Sequence, residues 1–313
     1  MKIAIRRSNV KTLMLPIAMV GGAIFYPWMG YITFLSPYLI FMMLFITYCK
    51  LSLHDIRPDK FEVILLLTQM TLAGLVYALT FFWNKTLAEG VFICVFIPTA
   101  TAAPVITAML GGSISKVATY SLLSNSVVAT AGPVLLAAIG DHSEMTFGES
   151  FRLILSQVFP LIILPLLLAL AARKFTPSIH AKVNNMQQLS FYLWAVSLFI
   201  VVGSCTSFAI KNWTPESTPT MIMLAFGALT VCVAQFKIGR KIGDIYGHKI
   251  SGGQALGQKN TVLAVWLALA YLNPLASIAP ASYVAWQNII NSWQLMRKQS
   301  EISRFQPSLS RQE

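Results

Sequence analysis

Of 313 residues, 56% are hydrophobic and 11% charged, where an ordinary soluble domain carries roughly 25% charged residues. That composition excludes a water-soluble globular chain, which needs more polar surface. The net charge of +12 does not point to nucleic acid: the basic residues sit in short stretches between apolar blocks, and no basic face carries interleaved aromatics. The partner it implies is the lipid bilayer.

The apolar blocks are about 20 residues long, the length with which a helix crosses about 30 Å of hydrocarbon. They recur along the chain, as a lone signal sequence would not. In chain order they predict ten membrane segments, at about 12–29, 31–49, 61–83, 88–111, 114–139, 151–172, 187–210, 217–236, 250–271 and 276–296. The first two meet in a tight turn near Trp28, Met29 and Gly30.

Charge orients these segments. With the N-terminus in the cytoplasm, one side receives Lys2, Arg6, Arg7, Lys11, Lys50, Arg57, Lys60, Arg173, Lys174 and Lys182. Lys237, Arg240, Lys241, Lys249, Arg297, Lys298, Arg304 and Arg311 join them, making 18 of the 23 basic residues. The other side holds Lys85, Arg152, Lys211 and the acidic stretch 141–149. This bias predicts a multi-pass protein of a bacterial-type inner (plasma) membrane with both termini cytoplasmic. The two remaining basic residues, Lys116 and Lys259, fall within or near apolar segments.

Two segments are interrupted. Segment four contains Pro98-Thr99-Ala100-Thr101-Ala102-Ala103-Pro104, and segment nine opens on the polar, glycine-rich run 251–260. Paired prolines free backbone carbonyls from helical bonding, which is tolerable at membrane depth only inside protein or beside a watery cavity. The interruptions are the fourth of the first five segments and the fourth of the last five. An odd number of segments per half makes the halves inverted, and matched interruptions in inverted halves point to a transporter's binding site. The expected fold is an all-α membrane protein of ten transmembrane helices in two inverted five-helix repeats. These occupy 1–140 and 141–298, followed by a cytoplasmic tail at 299–313.

Lys259 is the sharpest single residue. It lies beside Asn260, with no acidic neighbour in sequence, and burying a cation there costs at least a few kcal/mol unless compensated. It either faces the broken helices, held by freed carbonyls, or snorkels to the cytoplasmic interface. Lys116 lies about one turn into segment five and has the same two options. With Tyr120 and Ser124 it follows a four-residue spacing, and Ser121 and Asn125 lie alongside, which makes a polar stripe or a helix-packing face. Gln69, Gln254 and Gln258 offer amides for solute contact or interhelical bonding. Thr99 and Thr101 belong to the interrupted segment, as binding groups or as local caps.

Enzyme motifs are missing. No HExxH, GxSxG or paired intramembrane carboxylates occur, so a non-enzymatic function is expected. Cys49, Cys94, Cys205 and Cys232 lie in apolar stretches without paired spacing, which supports neither a disulfide framework nor a zinc site.

At these residues the chain resembles the bile acid:sodium symporter family, as a divergent bacterial member. The resemblance rests on the proline-bearing loop 51–62, on 98–105 with Gly111-Gly112, on Ser124 through Gly132-Pro133, and on 162–173 with Pro165. It is strongest at Gly257-Gln258-Lys259-Asn260-Thr261-Val262-Leu263-Ala264, followed by Asn273-Pro274-Leu275-Ala276 and Trp286-Gln287-Asn288. The resemblance implies a panel of segments one, two, six and seven, and a core in which segments four and nine cross at their breaks. It also implies sodium ions behind that crossing.

The ligands for those ions are altered. Ala103 and Pro104 stand at the family's Ser-Asn pair, Ala255 at its glutamate and Lys259 at its segment-nine glutamine. Asn260 and Gln69 are retained, and segment five offers Val117 and Ser121 beside Lys116. The expectation is that Lys259, helped by Lys116, replaces bound sodium. Transport of a small organic anion would then be sodium-independent, by uniport or by coupling to protonation of the lysine. No cofactor is expected. A non-transporting receptor of the same fold and a conventional sodium-coupled symporter are the alternatives.

Overall fold

The computed structural model describes residues 14, 17–50, 58–100, 103–140, 146–211 and 213–309. Those residues are mostly helical, with one isolated antiparallel bridge, Thr99 to Lys259, and no strand among them. Three helices, Lys60–Phe81, Ile114–Ile139 and Thr218–Ile245, are long and apolar enough to cross a membrane. An all-α membrane protein fits this.

Helix α1 (17–24) passes through two short 3-10 turns, Tyr26–Tyr31 and Thr33–Leu35, into α2 (Ser36–Lys50). The turn expected near Trp28 is therefore a longer, wound connection. Helix α3 (Lys60–Phe81) starts at a reciprocal cap: the Asp59 side chain accepts from the Phe61 amide at 2.8 Å, and Glu62 accepts from the Asp59 amide at 3.0 Å. Its outward face is apolar, with Val63, Leu67, Leu75 and Leu79 exposed, while Glu62 and Gln69 are buried. That inversion of the soluble pattern is what a lipid-facing helix shows.

Segment four is two helices, α4 (Lys85–Phe96) and α5 (Ala103–Leu110). The prolines set the division. Pro98 cannot donate to the helix and forces Ile97 into extended geometry, φ −56° and ψ 149°. Pro104 sits in the first turn of α5, where a missing N–H costs nothing. Gly111, at φ +81°, then turns the chain toward α6 (Ile114–Ile139) in a conformation that side chains other than glycine's resist.

Helix α7 (Phe147–Phe175) opens on a second reciprocal cap, Thr146 with Glu149, and is followed by a short α8 (Pro177–Asn184) that the apolar pattern does not announce. Helix α9 (Gln187–Lys211) packs on α1, where Gly22 approaches the Phe199 carbonyl too closely for any Cβ. Helix α10 (Thr218–Ile245) runs beyond the expected end at 236, because its basic residues are sound helix formers that leave the apolar zone without breaking the helix.

Segment nine is also two helices, α11 (Lys249–Gly257) and α12 (Thr261–Tyr271). The glycine-rich run expected to be irregular is helical, and the break is confined to 258–260. Its glycines serve packing: Gly252 meets Gly239 of α10 so closely that a Cβ on either would strike the other's carbonyl oxygen. Asn260 starts α12 by accepting from the Leu263 amide at 3.2 Å. Helix α13 (Ile278–Leu309) continues well past 296 into the expected tail. Helix α4 from Leu87 to Phe96 and most of α12 are buried, so the two interrupted segments form the centre of the molecule.

Candidate functional site

The two breaks meet. The Ala100 amide donates to the Gln258 carbonyl at 3.0 Å, and the Asn260 amide donates to the Pro98 carbonyl at 2.9 Å. Residues 98–100 and 258–260 are thereby joined as a one-step antiparallel ladder. The Thr99 hydroxyl adds a bond to the Ala255 carbonyl at 2.7 Å. Each break supplies the backbone partners that the other lost when its helix stopped.

Lys259 lies within this junction and is 1% exposed. Its ammonium donates to the Val95 carbonyl at 2.8 Å and the Ile97 carbonyl at 3.1 Å, oxygens released by the end of α4. Helix C-terminal carbonyls carry the negative end of the helix dipole, so the cation sits where the field favours it. Its own amide donates to Gln287 Oε1 of α13 at 2.9 Å. The lysine faces the broken helices; it does not reach toward the interface.

Two amide–phenol pairs brace the junction. From α3, Gln69 Nε2 donates to the Phe96 carbonyl at 2.6 Å and the Ile97 carbonyl at 3.1 Å. Its Oε1 accepts from the Tyr120 hydroxyl and, at 3.0 Å, from the Ser124 hydroxyl, both on α6. From α10, Gln235 Nε2 donates to the Tyr283 hydroxyl of α13 at 2.9 Å, and Tyr283 donates to the Gly257 carbonyl at 2.8 Å. Ile97 thus serves both Gln69 and Lys259, using the two lone pairs of one carbonyl.

The structure brings Pro98, Thr99, Gln258, Lys259, Asn260, Gln69 and Ser124 into this one assembly, with Pro104 in the first turn of the adjoining α5. Thr101 lies outside the described residues. The Gln258 side chain is buried with neither amide atom hydrogen-bonded. Ser121 and Asn125 bond each other within α6, Asn125 Nδ2 to the Ser121 carbonyl at 2.7 Å, which leaves Asn125 Oδ1 without a partner.

Lys116 is not brought to the junction. Its ammonium lies 2.6 Å from the Asp59 carboxylate and 3.3 Å from Glu62, tying the start of α6 to the start of α3. A hydrogen bond with the Glu62 carboxyl, and then the Lys116 ammonium, hold the Asp59 carboxyl well below the usual carboxylate range. Gln254 also lies off the junction, with Nε2 bonded to Asn291 Oδ1 at 3.1 Å and Gln294 Oε1 at 3.0 Å.

Sequence reasoning misses Gln235, Tyr283, Gln287, Asn291 and Gln294. The signal that finds four of them is a stripe on α13: positions 283, 287, 291 and 294 share one helical face and are all polar in an apolar segment. Gln235 carries no such signal, since a lone amide in an apolar helix is ordinary. Comparison of the chain with known protein families and with curated proteins finds no match.

Proposed function

We propose that this protein is a secondary transporter of a small organic anion, working by alternating access, in which a fixed lysine occupies the place of a coupling cation. The observation that carries the reading is the buried Lys259 ammonium bonded to two freed carbonyls where two interrupted helices meet. Burying a cation without a carboxylate partner costs several kcal/mol even after relaxation. Packing alone does not call for it, and an apolar residue would fill the volume at lower cost. Interrupted segments at matching positions are the arrangement in which transporters bind solute.

In this reading ten segments cross an inner membrane as two inverted halves with both termini cytoplasmic, in a pattern that resembles the bile acid:sodium symporter family. Further support comes from the bracing pairs: Gln69 with Tyr120 joins segments three and five, and Gln235 with Tyr283 joins segments eight and ten, each holding its own half's break. The core carrying the junction rocks against segments one, two, six and seven. The unbonded Gln258 amide beside the fixed charge offers solute both a donor and an acceptor.

Uptake of labelled small organic acids into proteoliposomes tests the proposal. Uptake is expected to persist when choline replaces sodium, and Lys259→Gln is expected to reduce it at least about tenfold, the equivalent of about 1.4 kcal/mol of lost stabilisation. Strict sodium dependence would favour a conventional symporter. Binding without flux would favour a receptor.

A further inference from the structure

Beyond the junction, one cluster of buried amides has no structural use that accounts for all its atoms. Gln254 of α11 and Asn291 and Gln294 of α13 are 1%, 3% and 6% exposed. Gln254 donates to the other two through Nε2, while Gln254 Oε1 and Asn291 Nδ2 have no partner. Exchanging oxygen and nitrogen in all three amides does not remove the deficit. It converts the free acceptor to a donor and the free donor to an acceptor, so one of each remains in either arrangement. An unpaired buried polar atom costs about 1–3 kcal/mol, and a native fold retains such atoms where something else completes them.

The cluster also has a charged approach. Gln254 lies about one turn before the junction, on the side where the proposed topology puts the cytoplasm. The stem of Arg240 covers the adjacent Gly253, and no carboxylate pairs with Arg240 among the described residues. Lys298 continues the polar face of α13, and its amine lies against Gly111, in the turn whose Ser113 bonds Ser251 of α11. Two cations therefore lie against residues that neighbour a cluster lacking one hydrogen-bond donor and one acceptor.

We propose that Gln254, Asn291 and Gln294 form a second solute subsite, on the cytoplasmic side of the junction, for a small carboxylate that also carries a hydroxyl or carboxamide. This rests on the transport reading and names its substrate class. A metal cation engages acceptors only and a halide engages donors only, so neither completes the cluster. A hydroxyl or carboxamide donates and accepts at once, and its carboxylate turns toward Arg240 and Lys298.

Calorimetric titration of the full chain in lipid nanodiscs with lactate against propionate, and malate against succinate, tests it. Each hydroxy acid is expected to bind at least about tenfold more tightly than its unsubstituted partner. Gln254→Met and, separately, Asn291→Leu are expected to erase that preference, so that each variant binds lactate no more tightly than propionate and malate no more tightly than succinate. Equal binding of both acids by the wild-type protein, or a preference that survives both substitutions, overturns the subsite and leaves the transport reading standing. Failure of the wild-type protein to bind any of the four acids overturns both.

Discussion

At the scale of single residues, the junction is maintained by groups whose removal leaves another group stranded. Gln69→Leu deprives the Phe96 carbonyl of its donor and the Tyr120 hydroxyl of its acceptor, and is expected to lower stability by about 2–4 kcal/mol. Tyr120→Phe removes one donor from an oxygen that Ser124 still serves, and should cost about 1 kcal/mol. Because both act on one network, the double variant should cost less than the sum; unfolding in detergent mixtures that gives strict additivity would refute the coupling. The Asp59 carboxyl makes a second prediction. Its folded value lies below the ordinary one, so its contribution is complete above about pH 4, where the unfolded carboxyl is also ionised. The contribution is lost as pH falls through the lower folded value. Asp59 is 54% exposed, which keeps the effect small. From about pH 5 to about pH 3 the melting temperature of the wild-type protein should fall further than that of Asp59→Asn.

At the scale of elements, the sequence carries helix ends more faithfully than helix partners. The limits of α6 and the break between α4 and α5 are legible because their causes are local: Ser113 as a cap, Pro98 as a stop, Pro104 as a start. The helical state of α11 is not legible, since glycines at 252, 253 and 257 read as a loop until Gly239 of α10 is found against them. Helices α10 and α11 approach as closely as bare backbones allow. Gly252→Ala should therefore force them apart and destabilise by about 1–3 kcal/mol. Gly30→Ala, where nothing lies within 4 Å of a new Cβ, should cost less than that; equal melting temperatures for the two variants would remove the close-packing account.

At the scale of the whole molecule, what the sequence withheld is the pairing of distant groups. Lys259 was recognisable as an expensive residue, but its acceptors at Val95 and Ile97 lie 164 and 162 positions away. Lys116 keeps both of its options, a polar stripe or the interface, until the fold sets Asp59 and Glu62 beside it, 57 and 54 positions upstream. The proposed orientation makes its own prediction. In intact cells lacking the native cysteines, a membrane-impermeant maleimide should label Trp83→Cys and leave Lys249→Cys unlabelled until the membrane is opened. The reverse pattern would invert the topology. One consequence follows from how the two interrupted segments are tied. The knot at Ala100 and Asn260 is drawn from main-chain atoms, so its two hydrogen bonds do not themselves depend on which side chains stand at those two positions. A residue that has no amide hydrogen to give removes one of those bonds directly: Ala100→Pro should unfasten the molecule at its middle, whereas Ala100→Ser should leave it tied.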